Sequence, residues 1–291
     1  MAKFQSTHLD KVFFPKAKVT KGDLFDYYRE VSQFILPYLK DRPHSLLRQP
    51  DGLTGEAFFQ KNIEEPPKWL RTKTIYSKST EEDVTYLVGD DLDHLIYMVQ
   101  LGCIEINPWN SRVGQLDKPD WLILDLDPEG IGFEKVVETA KAVKVVCDDL
   151  DMPTYPKTSG KTGIHIYVPL GANYAFKEVR QLAEILANLI NLRTPDFTSV
   201  RRLPKKRRGK VYVDFLQNSQ GQTSAAPYSV RPTPESTVST PLHWDEVNAR
   251  LDPKKFTIKN TSQRLAKVGD LWKPVLGKGI DVEKILERLN L

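Results

Sequence analysis

The segment Trp121-Leu-Ile-Leu-Asp125-Leu-Asp127-Pro128 sets two carboxylates, one leucine apart, in an otherwise apolar strand. Side chains alternate across a strand, so Asp125 and Asp127 share a face while Leu122, Leu124 and Leu126 point the other way, toward a core. A third carboxylate, Asp214, lies far downstream in Val211-Tyr-Val-Asp214-Phe215. Neighbouring carboxylates on a mostly buried strand repel one another and lose hydration, and one or two hard divalent cations with oxygen preference offset both costs. An Asp-x-Asp pair also occurs as two surface carboxylates at a strand end, because Asp favours strand-to-turn junctions. The residues alone leave both readings open.

At 291 residues the chain can form one large domain or two smaller ones, with ample material for a core. Charged residues at 27% and apolar residues at 40% argue against wholesale disorder. The two cysteines, Cys103 and Cys147, each lie in an apolar segment, which excludes a disulfide framework or a cysteine zinc site and fits a reducing cytoplasm. The N-terminus, Met1-Ala-Lys-Phe-Gln-Ser, lacks an apolar signal core, and no apolar run approaches the length of a membrane span. The expectation is a soluble, cytoplasmic protein with no membrane partner.

The net charge of +4 is modest, but Arg201, Arg202, Lys205, Lys206, Arg207, Arg208 and Lys210 crowd one segment with Pro204 and Gly209, a composition suited to a loop. Such a cluster binds nucleic-acid phosphates through counterion release, or is simply a solvated basic loop.

Helices and strands alternate without internal repeat. Thr20 can cap a helix from Lys21 to about Leu36, with Leu24, Tyr27, Tyr28, Val31 and Ile35 at helical spacing and Pro37 near its end. A second helix runs from Asp91 to Leu101, with Gly102 as its C-terminal cap, before the strand Cys103-Ile-Glu-Ile-Asn107. After the carboxylate strand come a helix from Phe133 to Leu150, strands around Pro153 to Lys157 and Gly163 to Leu170, and a helix from Phe176 to Ile190. A strand from Val211 to Leu216 follows the basic loop, Gly, Ser, Thr and Pro dominate from Ser219 to Trp244, and a helix from Asp281 to Asn290 finishes the chain. This order implies an α/β or α+β fold with a mixed or largely antiparallel sheet.

Thr158-Ser159-Gly160-Lys161-Thr162-Gly163-Ile164-His165 invites a nucleotide-triphosphatase reading through its Gly-Lys-Thr. That reading fails twice. The phosphate loop needs glycine where Tyr155 stands, and a helix should follow, but Ile164 to Val168 alternates as a strand. What remains is a small-residue turn whose amides and Ser159 hydroxyl can approach a phosphate, with His165 beside it.

Several separated segments carry a resemblance to a known family: Leu9-Asp-Lys-Val-Phe-Phe-Pro15, Thr20 to Tyr28, Gly55-Glu-Ala-Phe-Phe-Gln-Lys61, Asp125-Leu-Asp-Pro128, Ser159-Gly through His165, Val213-Asp214 with Gln217-Asn218, and Gln222 through Arg231. In order and spacing the chain resembles the polymerase domain of bacterial ligase D, a polymerase of the archaeo-eukaryotic primase superfamily used in non-homologous end joining. The resemblance covers nearly the whole chain. It implies an α+β, primase-like fold with mixed or antiparallel central sheets flanked by helices. It also implies a single catalytic domain over 1–291, with an N-terminal part to about residue 110 and a catalytic sheet part after it, packed together.

By that resemblance Asp125, Asp127 and Asp214 are the catalytic, metal-binding carboxylates of a nucleotidyltransferase that fills gaps and extends 3′ ends at DNA breaks. One metal would activate the primer 3′-hydroxyl and a second would neutralise the triphosphate, manganese usually serving better than magnesium and ribonucleotides being preferred. Ser159, His165, Arg207, Gln217 and Arg231 match the nucleotide contacts; read without the resemblance, Arg231 suggests a structural ion pair. Lys11 and Lys21 match the lysines that bind the 5′-phosphate across a gap, and the helix start at Lys21 reinforces anion binding. Phe58 and Phe59 face opposite ways in a regular pleat, so one is expected in the core and the other stacking on a template base. The partners implied are DNA ends with a 5′-phosphate, nucleoside triphosphates, Ku and a DNA ligase.

Two positions depart from the family's pattern. Asn107 stands before Pro108-Trp109 where a histidine is common, so a contact there comes from a neutral amide. Thr162 occupies the place before Gly163 where many relatives have lysine, and Lys161 sits one place earlier. Two other classes stay open. A haloacid-dehalogenase-like phosphatase also uses Asp-x-Asp, although Pro128 stands where that motif wants Thr or Val; a non-catalytic DNA-end-binding module needs only the basic residues.

Overall fold

A computed structural model describes residues 4–78, 80–89 and 91–289. In chain order the first elements are β1 (Val12–Phe14), β2 (Val19–Thr20), α1 (Lys21–Glu30), α2 (Ser32–Leu39), β3 (Arg42–Arg48), β4 (Phe58–Gln60), β5 (Thr72–Ser77), β6 (Glu82–Gly89), α3 (Leu92–Gln100), β7 (Cys103–Pro108) and β8 (Ser111–Arg112). They are followed by β9 (Gln115–Pro119), β10 (Trp121–Glu129), α4 (Phe133–Asp149), β11 (Tyr155–Thr158), β12 (Ile164–Pro169), α5 (Phe176–Arg193), β13 (Thr198–Ser199), β14 (Lys210–Asp214), α6 (Ile258–Val268) and α7 (Val282–Arg288). The fold is α+β, with sheets that are antiparallel apart from the β13–β14 pair.

Two compact units divide the chain. One comprises the chain up to Gly114 with Thr223–Thr240 and Lys254–Gly269. In it β3 is the hub, pairing antiparallel with β4, β6 and β7, while β5 extends β6. Thr20 caps α1 by a reciprocal box in which its hydroxyl accepts from the Asp23 N–H and the Asp23 carboxylate takes the Thr20 N–H. The single helix expected from Lys21 to Leu36 is two. Val31 leaves helical geometry at φ −91° and ψ 3°, and α2 restarts on its carbonyl, which accepts from Phe34 and Ile35. The chain then passes Pro37 and stays helical to Leu39, at the loss of one backbone donor, because Tyr38 and Leu39 are both buried. Helix α3 takes its N-cap from Asp91, and Gly102 past its end has φ +77°, a conformation suited to glycine. Helix α6, whose sequence is largely polar, was not anticipated; it packs on α1.

The other unit comprises Gln115–Gln222, Pro241–Pro253 and the chain from Asp270 on. Its sheet has the order β11-β12-β10-β14-β13, so the carboxylate strand β10 is central. Leu122, Leu124 and Leu126 have no exposed surface, and α4 and α5 pack on β10 and on each other. Asn218 pins the strand by taking the Ile123 N–H at 2.8 Å and donating to the Ile123 carbonyl at 2.7 Å. Trp272 is buried and donates its indole N–H to the Pro156 carbonyl at 3.0 Å. Helix α7 covers most of the expected terminal helix; Asn290, its expected last residue, lies outside the described residues. Cys103 and Cys147 are both buried free thiols. Among the described residues no helix is long and apolar enough to cross a membrane.

Candidate functional site

Register across the second unit's sheet assembles one row of four side chains. Lys157 on β11 stands opposite His165 on β12, His165 opposite Asp125 on β10, and Asp125 opposite Asp214 on β14. Directly opposed residues in antiparallel strands project to the same face, so all four share it. Asp127, two residues along β10, stands opposite Tyr212. The carboxylates singled out in the sequence therefore form a compact patch with Tyr212 at its fourth corner.

Each member has a defined partner. Asp214 accepts from the Leu216 N–H at 2.7 Å and the Tyr212 hydroxyl at 3.3 Å through Oδ1, and from the Gln217 amide at 3.5 Å through Oδ2. Burial first, and the adjacent Asp214 carboxylate second, push the Tyr212 phenol up to about 12, so it remains a donor across the neutral range. Asp125 is buried, with Oδ1 at 3.3 Å from Nε2 of His165, which is buried too. Nδ1 of His165 lies 2.9 Å from Nζ of Lys157.

Ser159 organises the turn between β11 and β12. Its hydroxyl accepts from the Lys161 and Gly163 N–H groups at 3.1 and 3.0 Å, and Gly160 adopts φ +77°. A Cβ on Gly163 would sit 2.6 Å from the Leu126 carbonyl oxygen and 2.9 Å from Oδ1 of Asp127, so only glycine lets this turn approach the carboxylate strand. Lys161 is exposed on the turn. The basic segment 201–210 is largely exposed, as its composition implies, and turns inward at Arg207. The Arg207 guanidinium lies 3.9 Å from the centre of the Tyr212 ring, and its Nε is 3.3 Å from Oε2 of Glu129.

Three carboxylates on one sheet face offer the oxygen donors that a hard divalent cation takes, so the donor chemistry fits such an ion. Among the described residues no group of three His, Cys, Asp or Glu side chains is already drawn together as a metal cluster. In the rotamers seen, Asp125 and Asp214 face protein donors instead.

The first unit carries the remaining candidates. Lys11 and Lys21 line one cavity of about 290 Å³ together with Arg48, Thr7, Gln100 and Gly102. The Lys21 N–H donates to the Lys11 carbonyl at 2.8 Å, which brings the two residues side by side. Burial, then the Lys11 charge, lower the Lys21 amine below its ordinary range. Lys11 pairs with Asp51, while Arg48 donates to the Leu101 carbonyl at 2.7 Å and to Gln60 at 2.8 Å. The reinforcement expected from the α1 N-terminus is corrected by its hydrogen bonds. Its first three N–H groups are taken by the Lys11 carbonyl, the Leu9 carbonyl and the Thr20 hydroxyl, which leaves the side-chain cations as donors for an anion.

Phe58 and Phe59 correct a second expectation, since neither is core: they are 41% and 61% exposed. Among the described residues strand β4 pairs only with β3, so it forms a sheet edge, and both rings keep a large exposed surface there. The Arg48 guanidinium lies 5.2 Å from the Phe58 ring centre. Arg231 forms the buried ion pair that its isolated context suggested, with Nε 3.0 Å from Oε2 of Glu105. Asn107, on the same strand as Glu105, is also buried.

Sequence reasoning missed Tyr212, Lys157, Arg48 and Glu105. Tyr212 was recoverable, because it lies two residues before Asp214 and so on its face. Lys157 and His165 are equidistant from the middle of the Ser-Gly turn, a symmetry that becomes informative only once the turn is known to close a hairpin. Arg48 and Glu105 acquire their neighbours through long-range pairing.

The family model for the LigD primase-polymerase domain matches residues 20–272. The chain is 35% identical over 271 residues to the bifunctional non-homologous end joining protein LigD of Bacillus subtilis (strain 168), covering 92% of this chain and 43% of that protein. It is 33% identical over 273 residues to the multifunctional non-homologous end joining protein LigD of Mycolicibacterium smegmatis, covering 92% of this chain and 35% of that protein. The chain thus spans less than half the length of these curated relatives. Among solved structures it resembles the polymerase domain from Mycobacterium tuberculosis ligase D in complex with DNA, with a TM-score of 0.88, 30% identity and coverage of 96% of this chain and 100% of that one.

Proposed function

The chain belongs to the LigD primase-polymerase domain family, and on that premise we propose that it is a nucleotidyltransferase that adds nucleotides to a DNA 3′-hydroxyl, filling gaps and extending broken ends in non-homologous end joining. The observation that carries the reading is the register of β10 with β14, which sets Asp125 opposite Asp214 with Asp127 on the same face.

Asp125, Asp127 and Asp214 would hold divalent manganese or magnesium. When bound, the ions would supply an activated 3′-hydroxyl and charge neutralisation on the triphosphate. The chain's own residues prepare that site. The Leu216 amide and Tyr212 hydroxyl orient the Asp214 carboxylate, and Gly163 lets the Ser159 turn lie against the Asp127 strand. Ser159, His165, Gln217 and Arg207 are assigned to the incoming nucleotide, where a guanidinium's fixed charge suits a triphosphate. For Arg231 that assignment rests on the resemblance alone, as does a preference for ribonucleotides.

Lys11 and Lys21 are assigned to a 5′-phosphate, supported by the basic cavity they share with Arg48, and Phe58 and Phe59 to stacking on template bases, supported by their exposure. The proposal treats the whole chain as one catalytic domain working with Ku and a DNA ligase.

Primer extension on gapped DNA, with and without a 5′-phosphate, in manganese or magnesium and with ribo- or deoxyribonucleotides, tests the reading. Templated addition that favours the 5′-phosphate is expected. No incorporation under any condition sinks it, and phosphate release without templated addition replaces it with the phosphatase.

A further inference from the structure

Lys157 has no exposed surface, a rare position for lysine, whose ammonium is almost never fully buried unless its donors are satisfied. Its Nζ lies 2.9 Å from Nδ1 of His165, and the Tyr167 and Trp272 ring centres lie 5.8 and 5.9 Å from it. The two aromatic rings give the cation an electrostatically favourable enclosure.

An ammonium has donors and no acceptor, so toward Nδ1 it can only donate. Nδ1 is then the bare nitrogen of the imidazole, and the ring hydrogen belongs on Nε2. Nε2 is the nitrogen that faces the carboxylate patch, 3.3 Å from Oδ1 of Asp125. The Lys157–His165 hydrogen bond therefore puts the ring hydrogen on the nitrogen that lies toward Asp125. Both side chains come from strands whose register places them opposite each other, so the contact is built into the hairpin and does not depend on a loop.

We propose that Lys157 is a positioning residue that fixes His165 in the Nε2–H tautomer and holds that N–H toward the carboxylate face, where it donates to a phosphate oxygen of the incoming nucleotide. The donation to nucleotide rests on the nucleotidyltransferase reading; the tautomer does not. Without Lys157 both tautomers become accessible. In the Nδ1–H form, Nε2 would present a lone pair to a polyanion instead of a donor. The expected consequence falls on nucleotide binding more than on the chemical step, because the ring donates to the bound triphosphate and carries no proton to or from the reacting hydroxyl.

The test uses 15N-histidine-labelled full chain, with the His165 signals identified by their loss in His165→Gln. In the parent protein two-bond 1H–15N correlations are expected to show a bare Nδ1 and a protonated Nε2. Lys157→Met should move this pattern toward a mixture and raise the nucleotide KM about tenfold while kcat changes little, the size of effect that one lost charge-assisted hydrogen bond produces. Lys157→Arg, also an obligate donor, should restore the pattern. A protonated Nδ1 in the parent protein overturns the inference, as does a Lys157→Met variant that keeps both the parent pattern and the parent KM. Should that variant fail to fold by circular dichroism, the parent tautomer decides. A parent protein that extends no primer would sink the polymerase reading, and the tautomer would still judge the Lys157–His165 bond by itself.

Discussion

Asp125 on β10 stands directly opposite Asp214 on β14, although 88 positions separate them in the chain. Carboxylates opposed across antiparallel strands disfavour the unliganded state, and a cation that binds both reverses this. Manganese should therefore raise the melting temperature of the parent protein and have little effect on Asp125→Asn or Asp214→Asn. Differential scanning fluorimetry over a metal titration checks this. Equal shifts in all three would place the ion elsewhere.

The Lys21 amine titrates below an ordinary lysine because it is partly buried beside Lys11. Only its protonated form attracts a phosphate, so preference for a 5′-phosphorylated gap should fade as pH rises through this lowered value, sooner than an ordinary lysine would dictate. Lys21→Arg, whose charge does not titrate in this range, should flatten the profile, and Lys11→Ala with Lys21→Ala should lose the preference and reduce the salt slope. Fluorescence anisotropy on gapped DNA measures all three. A parent profile flat into the alkaline range would remove Lys21 from the site.

Phe59 is the more exposed member of its pair, so truncating it leaves the core untouched. Phe59→Ala should change stability by less than about 0.5 kcal/mol. It should weaken binding to templates with unpaired bases by about 1–3 kcal/mol, the range for one base stacked on one ring. Denaturant melts and binding to recessed-end DNA separate the two effects. Undiminished binding would mean the rings serve another purpose.

Gly163 leaves no room for a methyl group in the Ser159 turn, because the Leu126 backbone and the Asp127 carboxylate both stand in its way. Gly163→Ala should destabilise the fold by about 1–3 kcal/mol, the usual cost of overpacking, and should weaken the manganese response by displacing Asp127. Thermal melts with and without metal report both. A variant as stable as the parent, with an unchanged response, would show that the turn yields easily.

Most elements of the second unit were legible from their own residues. Alternation identified β10 and β12, and the ranges expected for α4, α5 and β14 overlap the observed ones, since each segment carries its own pattern. In the first unit the Thr20 cap and the Asp91 to Gly102 helix were equally local signals. The break at Val31, the helical passage past Pro37 and helix α6 were not, because long-range burial and packing decided them. Phe58 and Phe59 show the limit of the pleat argument: alternation gives two faces but cannot say whether either face is covered.

The sequence by itself determined the donor inventory: three strand carboxylates, a small-residue turn before a histidine, a basic segment and two N-terminal lysines. Tertiary structure alone decided which of these meet. Register brought Asp214 to Asp125 and put Lys157 behind His165; the path of the loops seated Arg207 on Tyr212, gave Arg231 to Glu105 and closed the first α1 amides to an outside anion. The physical reason is that composition and periodicity fix the face of each residue within its own element. Hydrogen-bonded pairing between segments far apart in the chain fixes what stands across from it.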